Sequence, residues 1–465
     1  MDSYSVSDYL IFRGDVPLKN DAFADTDALV LCQIGYVHFD GIIDKATYNM
    51  NKLDFNTRYA FSDLKDKIIL SEKRYEYMDV GLMNKRIPEL FLQAGNTERF
   101  KDIELCGFIC KNEDHSENPE QFAAMTFFLD EETICIVFRG TDDSIRGWKE
   151  DCNLATMDTI PSQLDALEYL KKVLDYFSNK KIIVAGHSKG GNIAMYACGF
   201  LSESLQNRIS LIYNFDGPGF SSETLQKHSM LRIKDKLHIW YPQQSMVGML
   251  FYHYPEHFKV AKSSSALILQ HDLSTWLICG KYPAQAEELS GFSTYLNKTF
   301  NEWYENLPND EKRKQFINSL FSILECSNKE TLSAMIGDVQ TEVYNTADVV
   351  KSKNISLVQK TFTAAKNLTK ILTKGGKNTI KSVTCIAKGT FDVIKDPEQR
   401  QILKEIGVQL LKANITSAKD IARERKIEKK ELKKKQKNGF KKSVKTNLND
   451  AKNIGLNFIG IKFKK

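Results

Sequence analysis

The chain has 465 residues, 42% of them hydrophobic and 11% aromatic, which allows two or three folded domains and excludes a disordered chain. Its net charge of +6 is unevenly distributed. Residues 351–465 hold 30 Lys and Arg against 9 Asp and Glu, a net charge of +21, whereas residues 1–350 hold 35 against 50, a net charge of −15. Two bodies of different character are therefore expected.

The nine cysteines are scattered along the chain, which indicates reduced, buried thiols and excludes a disulfide framework or a zinc motif. The first ten residues have neither a basic start nor an apolar stretch, so no cleavable signal peptide is expected. No window of about 18 uncharged apolar residues occurs, so no membrane-spanning helix is predicted.

In the first 300 residues, short β-rich runs alternate with helical patterns. Strands are predicted over Thr133–Gly140, Lys181–Gly186, Ser210–Gly217 and Lys236–Pro242, and helices over Ser162–Ser178 and Asn192–Leu205. Such alternation is typical of a mostly parallel sheet with helices on both faces. The sequence therefore predicts an α/β domain over residues 1–300.

The rest of the chain has the pattern of long basic helices. Apolar residues recur every three or four positions from Ile355 to Leu372 and from Ile380 to Ile394, which is helical spacing. Another helix is predicted to start at Asp396-Pro397, a capping residue followed by proline. Residues 301–465 are therefore expected to form an all-α domain.

One short motif connects a predicted strand to a predicted helix. It reads Gly186-x-Ser188-x-Gly190 and is followed by another glycine, Gly191. A strand, a tight glycine turn and a helix form a nucleophile elbow, which exposes a serine hydroxyl above the carboxyl edge of the sheet. The sequence therefore predicts that Ser188 is a nucleophile.

A serine nucleophile of this kind needs two backbone N–H groups to bind the oxyanion of the reaction. One is predicted to be that of Lys189, which follows the nucleophile. The other is expected from the loop after an earlier strand, where Val137–Thr141 reads "VFRGT" and Thr141 is the candidate donor. Arg139 is expected to brace that loop.

"FRGT" followed about fifty residues later by "GHSKGG" resembles the class 3 lipases, which have the α/β-hydrolase fold. The set "DYLIFRGDVPL", "GHSKGGNIAMY", "FDGPGF", "SMVGMLF" and "QHDLSTW" is more similar still to the Mbeg1-like, lipase-related bacterial proteins. The resemblance covers roughly residues 5–335 and implies serine ester hydrolysis of lipids.

The base and the acid are then expected in later segments. His271 follows the last predicted strand and lies in the family motif, so it is the predicted base, whereas His187 is expected to face away from the serine. The class 3 acid position reads Pro242-Gln243-Gln244-Ser245 here and holds no carboxylate. Asp216, at the end of the strand after the elbow helix, is the predicted acid, with Asp272 as the alternative.

A Met-rich apolar segment, "SMVGMLFYHYP", follows the last of these strands. A flexible apolar loop near the site suits an acyl chain or a lipid surface. The predicted substrate-binding residues are Met246, Val247, Met249 and Leu250. No metal and no cofactor is expected.

The basic helices have three interpretations. Nucleic-acid binding is disfavoured because the helices are nearly free of aromatic residues that could stack on bases. This leaves contact with an anionic membrane surface or pairing with partner helices. A lipase-like head with a basic helical C-terminus resembles the type VII-secreted lipase toxin of Gram-positive bacteria, and Tyr344-x-x-x-Asp348 matches the signal of that pathway.

That resemblance implies export without a cleaved signal peptide, small helical secretion partners and a cognate immunity protein. The predicted protein is a secreted lipase or phospholipase A-type esterase. The alternatives are a cytoplasmic housekeeping esterase and an inactive hydrolase-fold protein that binds partners through its helices.

Overall fold

The structure, a computed structural model, describes residues 4–71, 87–113, 120–141, 154, 157, 159–265 and 267–306. The predicted helices after residue 350 and the Tyr344/Asp348 motif lie outside the described residues. The helices are α1 (Val6–Phe12), α2 (Asp25–Ile34), α3 (Phe61–Leu70), α4 (Ile87–Ala94), α5 (Pro161–Tyr176), α6 (Lys189–Gly199), α7 (Glu203–Gln206), α8 (Ser222–Gln226), α9 (His228–Arg232) and α10 (Gly291–Asn306). The strands are β1 (Tyr59–Ala60), β2 (Glu104–Glu113), β3 (Glu120–Phe128), β4 (Thr133–Phe138), β5 (Lys181–His187), β6 (Ile209–Phe215), β7 (Leu237–Pro242), β8 (Phe258–Ala261), β9 (Ile278–Cys279) and β10 (Tyr282–Pro283).

Strands β1 to β8 form one sheet in which spatial order follows chain order. The pairs from β1 to β4 are antiparallel, and the pairs from β4 to β8 are parallel. The two short strands β9 and β10 pair separately. The predicted α/β-hydrolase architecture, a mostly parallel sheet with flanking helices, is confirmed.

The strand order explains why the sheet needs helices from two parts of the chain. Right-handed connections between parallel strands in chain order all return over the same face, so α5 and α6 cover one side. Side chains alternate accordingly along β5: Ile182 and Val184 pack with α5 and α6. Ile183 and Ala185 pack in the other core, with residues from α1 to α4.

The predicted parallel strands lie within two residues of the observed ones. Helix α6 begins at Lys189, directly after Ser188, rather than at Asn192. The predicted boundary between residues 300 and 301 falls inside α10. The antiparallel strands β1 to β3 and the helices α1 to α4 were not predicted.

No helix in the described part of the chain is long and apolar enough to cross a lipid bilayer. The six cysteines of the described residues are all free thiols, and five of them are buried. Burial raises the pKa of the Cys106 thiol to about 12, which keeps this thiol protonated and unreactive.

Candidate active site

Ser188 lies in a strained turn between β5 and α6. Its backbone has φ 58° and ψ −133°, a conformation that costs a non-glycine residue about 1–3 kcal/mol. Its N–H donates to the Phe215 carbonyl at 2.9 Å, and its own carbonyl accepts from Gly191 N–H at 2.9 Å. The turn therefore has the geometry of a nucleophile elbow, with the serine at the N-terminus of α6.

Two glycines of the elbow have no room for a side chain. A Cβ atom on Gly186 would lie 2.1 Å from the Gly190 carbonyl oxygen. A Cβ atom on Gly190 would lie 2.2 Å from the Phe138 carbonyl oxygen at the end of β4. Glycine at these positions lets the turn and the neighbouring strand approach each other.

The predicted oxyanion loop lies beside the serine. A Cβ atom on Gly140 would be 3.0 Å from Ser188 Cβ and 2.5 Å from the His187 carbonyl oxygen. Thr141 follows Gly140 and is 7% exposed. The structure thus brings the segments of both predicted donors, Thr141 and Lys189, to the nucleophile.

The long side chains at this edge hold the backbone in place. Lys189 is fully buried, and its Nζ donates to the Gln121 carbonyl on β3 at 2.8 Å. Arg139 donates from its guanidinium to Cys110 Sγ at 3.2 Å, and its backbone N–H donates to the Ala123 carbonyl at 3.0 Å. Both cations therefore attach the edge of the site to β2 and β3.

His271 and Asp216 form a hydrogen-bonded pair, although 55 residues separate them. His271 Nδ1 lies 2.7 Å from Asp216 Oδ2. Because a carboxylate can only accept, Nδ1 carries the proton and Nε2 keeps its lone pair. The His271 side chain is 11% exposed and that of Asp216 is fully buried. This is the acid–base arrangement of a hydrolytic triad.

The alternative acid, Asp272, points elsewhere. Its side chain accepts from the Ser274 N–H at 2.9 Å, which caps the short helical turn Leu273–Thr275. Asp216 reaches the imidazole because it leaves β6 with φ 50°, a left-handed conformation that aspartate tolerates better than most residues. Its own N–H donates to the Trp240 carbonyl at 2.9 Å.

The structure contains no hydrogen bond between the Ser188 hydroxyl and His271 within the described part of the chain. The ring of His187, the residue before Ser188, has its centroid 4.5 Å from that of His271. Catalytic hydrogen bonds are often long in a free enzyme and shorten when substrate binds.

His187, which was expected to face away from the serine, contacts both Tyr36 and the predicted base. Its Nε2 lies 2.8 Å from the His271 carbonyl oxygen, and its Nδ1 lies 2.8 Å from the Tyr36 hydroxyl. The carbonyl can only accept, so Nε2 carries the proton and Nδ1 accepts from Tyr36. Burial, and then the charge of His271, hold the pKa of His187 well below its usual range.

Two buried asparagines join the nucleophile helix to the acid turn. Asn192, on α6, donates from Nδ2 to the Gly219 carbonyl at 2.8 Å and accepts from Gln163 Nε2 at 2.8 Å. Asn214, on β6, accepts the Gly217 N–H at 2.8 Å. The sequence analysis missed both, because the position of Asn192 four residues after Ser188 shows that it lies on the helix but not which groups it binds.

The segment that corresponds to the acid position of class 3 lipases contributes Ser245, which is a hydrogen-bond partner of Asp216. Ser245 donates its hydroxyl to Asp216 Oδ1 at 2.5 Å, and the Gly248 N–H donates to the same oxygen at 3.2 Å. The Met-rich loop therefore touches the Asp216 carboxylate, a contact that the sequence analysis did not predict.

The predicted substrate-binding residues differ in exposure. Met246 and Leu250 are half-buried, whereas Val247 is 7% exposed and Met249 is 2% exposed. Met249 belongs to the core that covers the α5/α6 face of the sheet. In this conformation only Met246 and Leu250 offer appreciable side-chain surface to a ligand.

Across the described residues, no cluster of three or more His, Cys, Asp or Glu side chains has the arrangement of a metal site.

Residues 94–322 match the model of the Mbeg1-like family. This range holds Ser188, Asp216 and His271. No curated protein matches the chain.

Three solved lipase structures are similar to parts of the chain. Lip2 lipase from Yarrowia lipolytica is 14% identical, over 64% of this chain and 92% of that one, with a TM-score of 0.31. The Rhizomucor miehei lipase–propeptide complex is 22% identical, over 31% and 53%, with a TM-score of 0.23. A fungal lipase in complex with an inhibitor is 25% identical, over 30% and 60%, with a TM-score of 0.23. The chain thus spans about half to three fifths of the last two proteins.

Proposed function

We propose that the protein is a serine esterase that hydrolyses acyl esters of lipids. The observation that carries the proposal is the 2.7 Å bond between His271 Nδ1 and Asp216 Oδ2, in the same site as a serine held at φ 58° after a parallel strand. A strained serine, an oriented imidazole and a buried carboxylate are the three parts of an acyl-transfer site.

The reaction would proceed in two halves. The Ser188 oxygen attacks the acyl carbonyl while His271 Nε2 takes the hydroxyl proton, and the Lys189 and Thr141 N–H groups bind the oxyanion. The imidazolium then gives this proton to the leaving alcohol. A water molecule, activated by the same imidazole, hydrolyses the acyl-enzyme and releases the acid. Asp216 stays ionised and stabilises the imidazolium throughout.

A lipid ester is the proposed substrate class because the acid is held by an apolar, Met-rich loop. Met246 and Leu250 lie on this loop with part of their surfaces open, next to Ser245 and Gly248, which bind Asp216. An acyl chain entering the site would pass these side chains. Phospholipids and acylglycerols both present such chains.

The test is product analysis on defined lipids. Micelles of phosphatidylcholine and emulsions of triacylglycerol are incubated with wild type and with Ser188→Ala, and the products are identified by mass spectrometry. We expect free fatty acid with lysophospholipid or with diacylglycerol from the wild type. The rate should fall by about 10⁵ or more in the variant. Equal rates for both proteins would instead indicate an inactive hydrolase-fold binding protein.

We further propose that the basic C-terminal part directs export by a type VII system, with small helical proteins as partners and an immunity protein in the producing cell. This rests on the net charge of +21 over residues 351–465 and on the Tyr344-x-x-x-Asp348 motif.

The full chain and its Tyr344→Ala variant can be compared in Gram-positive hosts with and without a functional type VII system. We expect the wild type in the culture medium of the first host alone and the variant inside the cells. Retention of the wild type in the cytoplasm of both hosts would favour a housekeeping esterase.

A further inference from the structure

Both oxygens of the Asp216 carboxylate have hydrogen-bond partners. Oδ2 accepts from His271 Nδ1 at 2.7 Å. Oδ1 accepts from the Ser245 hydroxyl at 2.5 Å and from the Gly248 N–H at 3.2 Å. Asp216 is fully buried and Ser245 is 1% exposed, so water does not compete for these bonds. The shortest bond to the acid therefore comes from a residue outside the predicted triad.

The Ser245 bond acts on the torsion that sets the direction of the two carboxylate oxygens. The φ of 50° and the bond from the Asp216 N–H to the Trp240 carbonyl fix where the side chain begins. Rotation of the carboxylate about Cβ–Cγ has only broad intrinsic preferences. Two donors on Oδ1 select the orientation in which Oδ2 faces the imidazole, and a bond to a charged acceptor is among the stronger kinds.

We propose that Ser245 is a positioning residue for the catalytic acid: its hydroxyl orients the Asp216 carboxylate so that Oδ2 holds the His271 imidazole in its productive orientation. This inference rests on the proposed function. Ser245 acts through Asp216 and His271, and it touches no reacting atom.

Backbone hydrogen bonds hold the loop that carries Ser245 in place on the side that faces the turn after Asp216. The Ser245 N–H donates to the Pro242 carbonyl at 2.9 Å, and the Gly219 N–H donates to the Leu250 carbonyl at 2.9 Å. A Cβ atom on Gly248 would lie 2.5 Å from Asp216 Oδ1, so only glycine lets the loop approach the carboxylate.

Helix α10 holds the same loop on its other side. Asn297 Nδ2 donates to the Met249 carbonyl at 2.8 Å and to the Phe251 carbonyl at 2.9 Å. The Phe251 ring, on a backbone with φ 66°, packs edge-on against Phe300 with centroids 5.1 Å apart. The hydroxyl of Ser245 is thus presented by a loop bonded at both ends.

The first test compares Ser245→Ala with Ser245→Thr, which keeps a hydroxyl. For hydrolysis of a soluble short-chain ester we expect Ser245→Ala to lower kcat by about 10- to 100-fold, with KM within about twofold. The acid limb of the kcat/KM profile, which reports the free-enzyme base, should move to lower pH because a misaligned carboxylate stabilises the imidazolium less. Ser245→Thr should recover most of kcat and the wild-type limb.

Ser162→Ala is the matched control. Ser162 is also fully buried, and its hydroxyl has no hydrogen-bond partner within the described residues. This variant should keep wild-type kcat and pH profile, which separates loss of the bond from loss of a buried serine. Thermal unfolding of all variants shows whether each one is folded at the assay temperature.

A second readout needs no turnover. The proton between His271 Nδ1 and Asp216 Oδ2 should give a low-field ¹H NMR resonance, assigned by its loss in His271→Gln. We expect Ser245→Ala to move it upfield or broaden it away, and Ser245→Thr and Ser162→Ala to retain it. A folded Ser245→Ala protein with unchanged kcat, unchanged acid limb and unchanged resonance would overturn the proposal.

The two readouts also separate this inference from the proposed function. If the wild type has no Ser188-dependent hydrolysis, the proposed function fails, and the resonance alone then decides whether Ser245 orients the pair. If hydrolysis depends on Ser188 and Ser245→Ala is as fast as wild type, the positioning role fails while the proposed function stands.

Discussion

At the scale of single residues, the choice between two aspartates defines the site. Asp216 bonds to His271 Nδ1, and Asp272 caps the turn that follows. Asp216→Asn should lower kcat by about 10⁴-fold, because an amide cannot stabilise the imidazolium and favours the wrong tautomer. Asp272→Asn, the matched control, should keep kcat within a few-fold. Steady-state kinetics on a soluble ester decides, and a larger loss in Asp272→Asn would contradict the assignment.

The site residues predicted from the sequence are those that have a local signal. Ser188 has its glycines, and Thr141 and His271 each follow a strand. Ser245 and Asn192 could not be predicted in their roles, because a buried serine and asparagine have many functions and their partners lie 29 and 27 residues away. The contact of His187 with His271 is also non-local. It depends on the path of residues 267–271 over the sheet, which the sequence does not show.

At the scale of elements, the site depends on close packing between the start of α6 and the end of β4. A Cβ atom on Gly190 would lie 2.2 Å from the Phe138 carbonyl and 3.0 Å from the Gly140 N. Gly190→Ala should therefore lower the free energy of unfolding by about 3 kcal/mol and abolish esterase activity. Gly291→Ala is the control, since no atom of the described residues lies within 4 Å of its Cβ position. In urea unfolding its free energy of unfolding should stay within about 1 kcal/mol of wild type. Equal stability of the two variants would contradict this packing.

The parallel half of the sheet was predicted because each of its strands is a short apolar run with a helix after it. The antiparallel half was not, since β2 and β3 are longer, carry glutamates at Glu104, Glu113 and Glu120, and are separated by only six residues. The helices α1 to α4 were missed for a related reason. The predicted crossover helices all cover one face of the sheet, and α1 to α4 are needed to cover the other face.

At the scale of the whole molecule, buried neutral histidines make the folded state sensitive to acid. Burial lowers the pKa of His253 to about 3, and its Nδ1 lies 2.8 Å from the Tyr241 hydroxyl. In the unfolded chain its pKa returns to about 6.5. Below that pH the unfolded state binds a proton that the native state does not, so the free energy of unfolding falls by about 1.4 kcal/mol for each pH unit. His187 acts in the same direction.

The variant His253→Asn tests the direction of this pH dependence. The asparagine side-chain oxygen can still accept from the Tyr241 hydroxyl, but the residue no longer titrates. Urea unfolding between about pH 6 and pH 4 should give a dependence on pH that is shallower than wild type by about 1.4 kcal/mol per unit. Above about pH 7 the two proteins should show the same dependence. Parallel curves over the acid range would show that His253 is protonated in the native state.

The central claim is that Ser188 is a nucleophile activated by His271, and covalent capture tests it most directly. The full chain is treated with an alkyl fluorophosphonate, digested, and mapped by mass spectrometry. We predict one phosphonyl adduct, on the peptide that contains Ser188, formed at least about 10³-fold more slowly in His271→Gln and absent in Ser188→Ala. No adduct on Ser188 in the wild type, or an adduct of undiminished yield on another residue in Ser188→Ala, would contradict the claim.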